Sequence, residues 1–159
     1  MEYSVYTIDV VGWLRRKIKA YLNEELVFTS TTGSIWSAKR HILKDAEGNE
    51  VLKWVRSFRL TGTTYSLLVD NVQIGTVKKG HISKVLEADV QGELVFVTGN
   101  FMSTAFTFER GDREIAKVSR KLLRRRRSFG IAIAPGEDHL LCLALLTIVI
   151  DIIRRQSSG

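Results

Sequence analysis

One proline and one cysteine are all that this 159-residue chain holds of either. A single thiol, Cys142, excludes an internal disulfide framework and points to a reducing, intracellular setting. With Pro135 alone, and with glycines scattered singly between short apolar stretches, no linker divides the chain, so one domain over residues 1–159 is expected. Catalytic motifs are missing as well. No segment reads G-x-S-x-G, G-x-G-x-x-G or G-x-x-x-x-G-K, and His41, His81 and His139 stand far apart with no His or Cys at ligand spacing. A non-enzymatic protein with no catalytic residue, metal site or cofactor is therefore expected. The amino-terminal MEYSVYTIDVVGW carries acids and lacks a basic-then-apolar pattern, which argues against secretion and for a cytoplasmic protein.

Only one long apolar run is conspicuous: Leu140–Ile153, LLCLALLTIVIDII, interrupted by Thr147 and Asp151. A helix apolar on all faces belongs in the centre of a protein or of a bilayer. At about 1.5 Å per residue the run reaches roughly 21 Å, short of the hydrocarbon core of about 30 Å. A core helix is therefore expected. Glu137 and Asp138 before it and Arg154 and Arg155 after it suit a helix macrodipole, with Asp138 as N-cap. The β-branched stretch Thr147–Ile150 argues for a strand instead. Cys142, inside the run, reads as an apolar filler rather than a nucleophile.

From about Glu25 onward, stretches rich in Val, Ile, Phe, Tyr and Thr alternate with turn signals. Thr104–Glu109 places Phe106 and Phe108 on one face; Phe129–Ala134 does the same with Phe129, Ile131 and Ile133. These read as half-buried antiparallel strands. The links AEGN (46–49), DN (70–71) and GD (111–112) suit hairpins. Three of the hairpins, Lys44–Arg56, Val69–Lys79 and Glu109–Lys121, resemble one another, and repeated meanders of this kind imply a closed or nearly closed barrel without exposed edges.

The net charge of +7 is local. Lys117–Arg127, KVSRKLLRRRR, has seven basic residues and no acidic one, and the remainder of the chain is balanced. Lys117, Arg120, Lys121, Arg124, Arg125, Arg126 and Arg127 form the candidate patch, with the arginine cluster on a loop between the last two strands. An anionic lipid surface is its expected partner if it is functional; a solvated loop and a nucleic-acid contact are the alternatives. A second candidate is Trp13–Leu22. As an interfacial helix it would oppose Trp13, Leu14, Ile18, Tyr21 and Leu22 to Arg15, Arg16, Lys17 and Lys19, but the first barrel strand, or a helix across the barrel mouth, is preferred.

The order of these elements resembles the LURP-one-related family, within the Tubby C-terminal-like superfamily that also contains the phospholipid scramblases. The matching positions are Asp45, Gly48, Asp70, Ile74, Gly92, Gly99, Gly111, Ile115, Ala116, Ser119 and Lys121, followed by a carboxy-terminal block of Asp138, Leu140, Leu141, Leu143, Ala144 and Asp151. The likeness runs from about Leu26 to Ile153. It implies an all-β fold with one helix: a closed antiparallel barrel of about twelve strands enclosing the hydrophobic carboxy-terminal helix. It also implies a connection with lipid, because Tubby domains bind phosphoinositide headgroups and scramblases are linked to lipid movement. It transfers no headgroup pocket to particular residues here.

The function expected is a non-enzymatic module binding a membrane surface or anionic phospholipid headgroups, peripheral at the membrane. The alternative is a protein-interaction scaffold; the few aromatics beside the basic residues leave nucleic acid a lesser one. Asp151 must find donors or stay protonated. It either pairs with a barrel-lining Arg or Lys or emerges at the rim beside Arg154, and the rim is the expectation.

Overall fold

Period-2 alternation governs nearly the whole chain before residue 134. In a computed structural model that describes residues 2–11, 17–32, 40–60, 62–80, 86–100, 105–119 and 128–157, it yields twelve strands followed by one helix. The strands are β1 (Ser4–Val11), β2 (Lys17–Leu22), β3 (Glu25–Thr32), β4 (Arg40–Asp45), β5 (Glu50–Arg59) and β6 (Gly62–Val69). They continue as β7 (Val72–Gly80), β8 (Leu86–Val90), β9 (Glu93–Asn100), β10 (Ala105–Arg110), β11 (Arg113–Ser119) and β12 (Ser128–Ile133). Each pairs antiparallel with its sequence neighbours, and β1 closes the barrel on β12 in the register Ser4↔Ile133 to Asp9↔Ser128. Closure leaves no free edge among the described strands to pair with another chain.

Helix α1 (His139–Ser157) fills the barrel. Cys142 through Leu146, and Ile148 through Ile150, are buried against inner rows such as Leu52 and Trp54 of β5, Tyr65 and Leu67 of β6, and Phe106 and Phe108 of β10. Helix wins over the β-branched signal at Thr147–Ile150 because a helix satisfies its own backbone groups in a site walled by already paired strands. Asp138 caps it, its Oδ1 accepting from the Leu141 amide at 3.2 Å. The polar Thr147 is also accommodated: its hydroxyl donates to the Ala144 carbonyl at 2.7 Å and accepts from Trp54 Nε1 at 3.0 Å. No described helix is long and apolar enough to cross a membrane.

Three expectations need adjustment. The strands begin at Ser4, ahead of the segment where the alternation first became readable. Within Trp13–Leu22, the described part, Lys17–Leu22, is a barrel strand as preferred but the second rather than the first, with Ile18 and Ala20 of β2 in the core; residues 13–16 lie outside the described residues. Strand β12 is buried on both faces, because its outward positions Ser128, Gly130 and Ala132 are too small to rise above neighbouring strands.

The links fall into two sets at opposite ends of the barrel. At the end where α1 starts, the links are short and follow turn chemistry. Asn23 and Glu24, Asp70 and Asn71, and Gln91 and Gly92 are pairs with positive φ, as two-residue hairpins of primed type require. Asp45 Oδ1 accepts from the amides of Glu47 and Asn49 at 3.0 and 2.9 Å, fixing the turn that carries Gly48 at φ +86°. At the end where α1 leaves, the links range from two residues between β5 and β6 to eight between β11 and β12.

Candidate functional site

Connectivity also separates charge. The short links and the entry to α1 contain Glu24, Glu47, Asp70, Asp112, Glu137 and Asp138 and no Lys or Arg. The segments that join strands at the opposite end contain Arg15, Arg16, Lys39, Lys84, Arg120, Lys121 and Arg124–Arg127 and no Asp or Glu. Among the described residues the same end carries Lys17 at the start of β2, exposed Arg40 at the start of β4, and Arg155 near the end of α1. Glu87 on β8 is an exposed acid near it. Asp9 accepts a hydrogen bond from Ser128 Oγ, and Asp151 is taken up inside the barrel. The basic stretch is thus one part of a larger polarity, which chain-wide neutrality outside it conceals.

Of the seven patch residues, Lys117 is described: it is exposed on the outer face of β11, two positions before that strand ends at Ser119. Arg120, Lys121, Arg124, Arg125, Arg126 and Arg127 lie outside the described residues, between β11 and β12 in the sequence.

Beneath this end lies a polar cluster that the sequence reading placed wrongly. Asp151 does not emerge at the rim; it is 5% exposed, and its two oxygens accept from Arg56 Nη1 at 2.9 and 2.8 Å. Tyr65 Oη donates to the same carboxylate at 2.7 Å. Arg155, one helical turn on, donates to Tyr65 Oη at 3.3 Å and reaches Thr63 Oγ1 at 3.5 Å. The reason is geometric: Arg56 continues the inward row Leu52, Trp54, Arg56, and a carboxylate on a core helix offsets the desolvation of both charges only by such pairing. An arginine in phase with Leu52 and Trp54 was the available signal, but its partner is 95 residues away.

Above the cluster, Phe58 continues the inward row of β5 to the barrel mouth. The guanidinium carbons of Arg56 and Arg155 lie over its ring, 5.2 and 4.7 Å from the centroid, within cation–π range. Phe58 is nevertheless 55% exposed, and Leu60 at the tip of the β5–β6 hairpin is 99% exposed.

The opposite end is held differently. Buried Glu137 pairs with Arg110 at 2.8 Å and with Arg113, while Arg110 also reaches Glu93 at 3.4 Å. His139 Nδ1 lies 2.6 Å from Tyr6 Oη, whereas His41 sits near the other end, stacked on Trp54 with centroids 5.0 Å apart; His81 lies outside the described residues.

Burial pushes the Cys142 thiol up to about 12, with Asp138 adding to the effect and Arg110 opposing it. Burial, reinforced by Asp151, likewise holds the Tyr65 hydroxyl well above its ordinary range. Two results are expected. The native protein should resist iodoacetamide at pH 8 and react stoichiometrically once unfolded in guanidinium. Both groups favour the folded state in their neutral form, so their contribution is complete below the ordinary thiol value of 9.0 and is lost as pH rises from there towards 12. Urea midpoints should therefore fall above about pH 9; native alkylation at the unfolded rate would contradict the burial.

A family model described as LURP-one-related matches residues 9–151. No curated protein matches the chain. Among solved structures, the X-ray structure of a protein from Arabidopsis thaliana superposes with a TM-score of 0.70 at 16% identity, covering 94% of this chain and 91% of that one. At that identity the likeness establishes the fold and says nothing of ligand or activity.

Proposed function

The chain belongs to the LURP-one-related family, and from that premise we propose that it is a non-enzymatic module whose basic barrel end binds anionic phospholipid headgroups at a membrane surface. The observation that carries the reading is the separation of charge between the two ends. A protein with acids at one pole and bases at the other is oriented by a negative surface before contact, and near that surface each Lys or Arg contributes about 1 kcal/mol. The basic residues are spread over several strands and the segments between them, and include four consecutive arginines at 124–127. That arrangement suits a planar field of headgroups better than a pocket for one small molecule. A cytoplasmic protein attached peripherally follows from the same reading, as anionic lipid is displayed on that leaflet.

Vesicle flotation tests it. The protein should float with vesicles containing phosphatidylserine and not with neutral phosphatidylcholine. Binding should weaken as salt rises, because exposed charges are screened within about 8 Å at physiological ionic strength and about 3 Å at 1 M. Replacing Arg124, Arg125, Arg126 and Arg127 together with Ser should lower affinity at least thirtyfold, corresponding to about half of the roughly 4 kcal/mol available to four well-placed charges. The melting temperature should hardly change. Tighter binding to duplex or single-stranded DNA at equal ionic strength would favour a nucleic-acid contact; binding to neither would leave a protein-interaction scaffold.

A further inference from the structure

We propose that the β5–β6 hairpin tip is a membrane-insertion element: Phe58 and Leu60 enter the acyl boundary of an anionic bilayer, and the barrel docks mouth-first with helix α1 steeply inclined to the membrane plane. The inference rests on the membrane-surface reading and adds an apolar, oriented contact to it.

Isolated exposed hydrophobics are ordinary on protein surfaces. Placement and degree of exposure together distinguish these two, since Val11, at the same end, is only 38% exposed. Val72 and Leu94, 65% and 42% exposed, are comparable in exposure but stand beside Asp70 and Glu93 at the acidic end, where an anionic surface is repelled. Phe58 and Leu60 stand at the basic end, and the segment 58–63, FRLTGT, contains no acid. The Phe58 ring is also held in place, with Arg56 anchored to Asp151 below it and Arg155 reaching it from the helix. An aromatic ring projecting past guanidinium groups has the order of an interfacial anchor, in which cations remain at headgroup depth while apolar groups pass beyond them. Fixing the ring beforehand reduces the entropy lost on insertion.

The two parts of binding respond differently to salt. The apolar part is insensitive to screening, so Phe58→Ser with Leu60→Ser should weaken binding to phosphatidylserine vesicles about tenfold while leaving the slope of affinity against salt unchanged. The variant should still fold cooperatively, with a small fall in melting temperature from the loss of the Arg56 and Arg155 contacts to the Phe58 ring. The direct test places an environment-sensitive dye on Leu60→Cys and, separately, on Val72→Cys; Cys142 is buried and stays unlabelled. With phosphatidylserine vesicles, the dye at position 60 should shift to the blue and be quenched by spin-labelled acyl chains, and the dye at position 72 should do neither. Flotation without a shift at position 60, or with equal shifts at both, would overturn insertion while leaving the surface contact intact. Absence of flotation would overturn both readings.

Discussion

Leu145→Asp should yield a chain that does not fold. Leu145 is 1% exposed at the middle of α1, with strands on every side, and no described cation faces it as Arg56 faces Asp151. An unpaired carboxylate there either stays charged at a cost of many kcal/mol or is protonated at a smaller but still large one. Set against a total stability of about 5–15 kcal/mol, either cost removes most of the margin. The expected observation is insoluble expression or, in the soluble fraction, loss of the cooperative thermal transition. Leu145→Met, nearly volume-conserving, should cost under about 1.5 kcal/mol and supplies the control. A soluble Leu145→Asp protein with an unshifted melting curve would show that the helix is not the core.

Asp151→Asn should be the most damaging polar substitution. It removes the charge opposite Arg56, whose side chain is 10% exposed, and weakens the acceptor for the Tyr65 hydroxyl. Breaking one side of a buried pair costs about 3–5 kcal/mol, because the remaining charge is left uncompensated. For a chain of this size that corresponds to a fall in melting temperature of about 6–20 °C. Replacing both partners by apolar groups, Arg56→Met with Asp151→Leu, should recover most of the loss and give a coupling energy of at least about 2 kcal/mol in a double-mutant cycle. Additive single losses would mean that the two side chains do not depend on one another. Because Arg56 also lies over Phe58, the double variant should leave that ring less well fixed even where stability returns.

The fold was legible where local pattern and tertiary demand coincide. Phe106 and Phe108 alternate as a half-buried strand must, Asp45 and Gly48 encode their turn, and the apolar Leu140–Ile153 has no place except the interior. The first two strands were harder to read because Trp13–Leu22 fits a helical wheel, and only pairing with β1 and β3 imposes period 2 on Lys17–Leu22. The site was less legible. Arg56 and Asp151 each break an apolar row, and each oddity is visible locally, but what reconciles them is contact across 95 residues. The charge separation has the same character. Along the chain, acidic and basic links are interspersed; once successive links are assigned to opposite ends by antiparallel pairing, the two kinds separate along the barrel.

The order of the elements bears on how the protein is made. Strands emerge from the ribosome in sequence, each able to pair with the one before it, but the element they enclose comes after all of them, and β1 must wait for β12 before the ring can close. Throughout synthesis the inner rows have nothing to surround, so the nascent sheet exposes on one face the side chains that later grip α1. Such long-range closure is slow and leaves intermediates open to aggregation. A chain interrupted anywhere before residue 139 lacks its core altogether. The inner apolar rows can therefore be buried only once α1 has been made, and a chain without it presents them to chaperones and proteases.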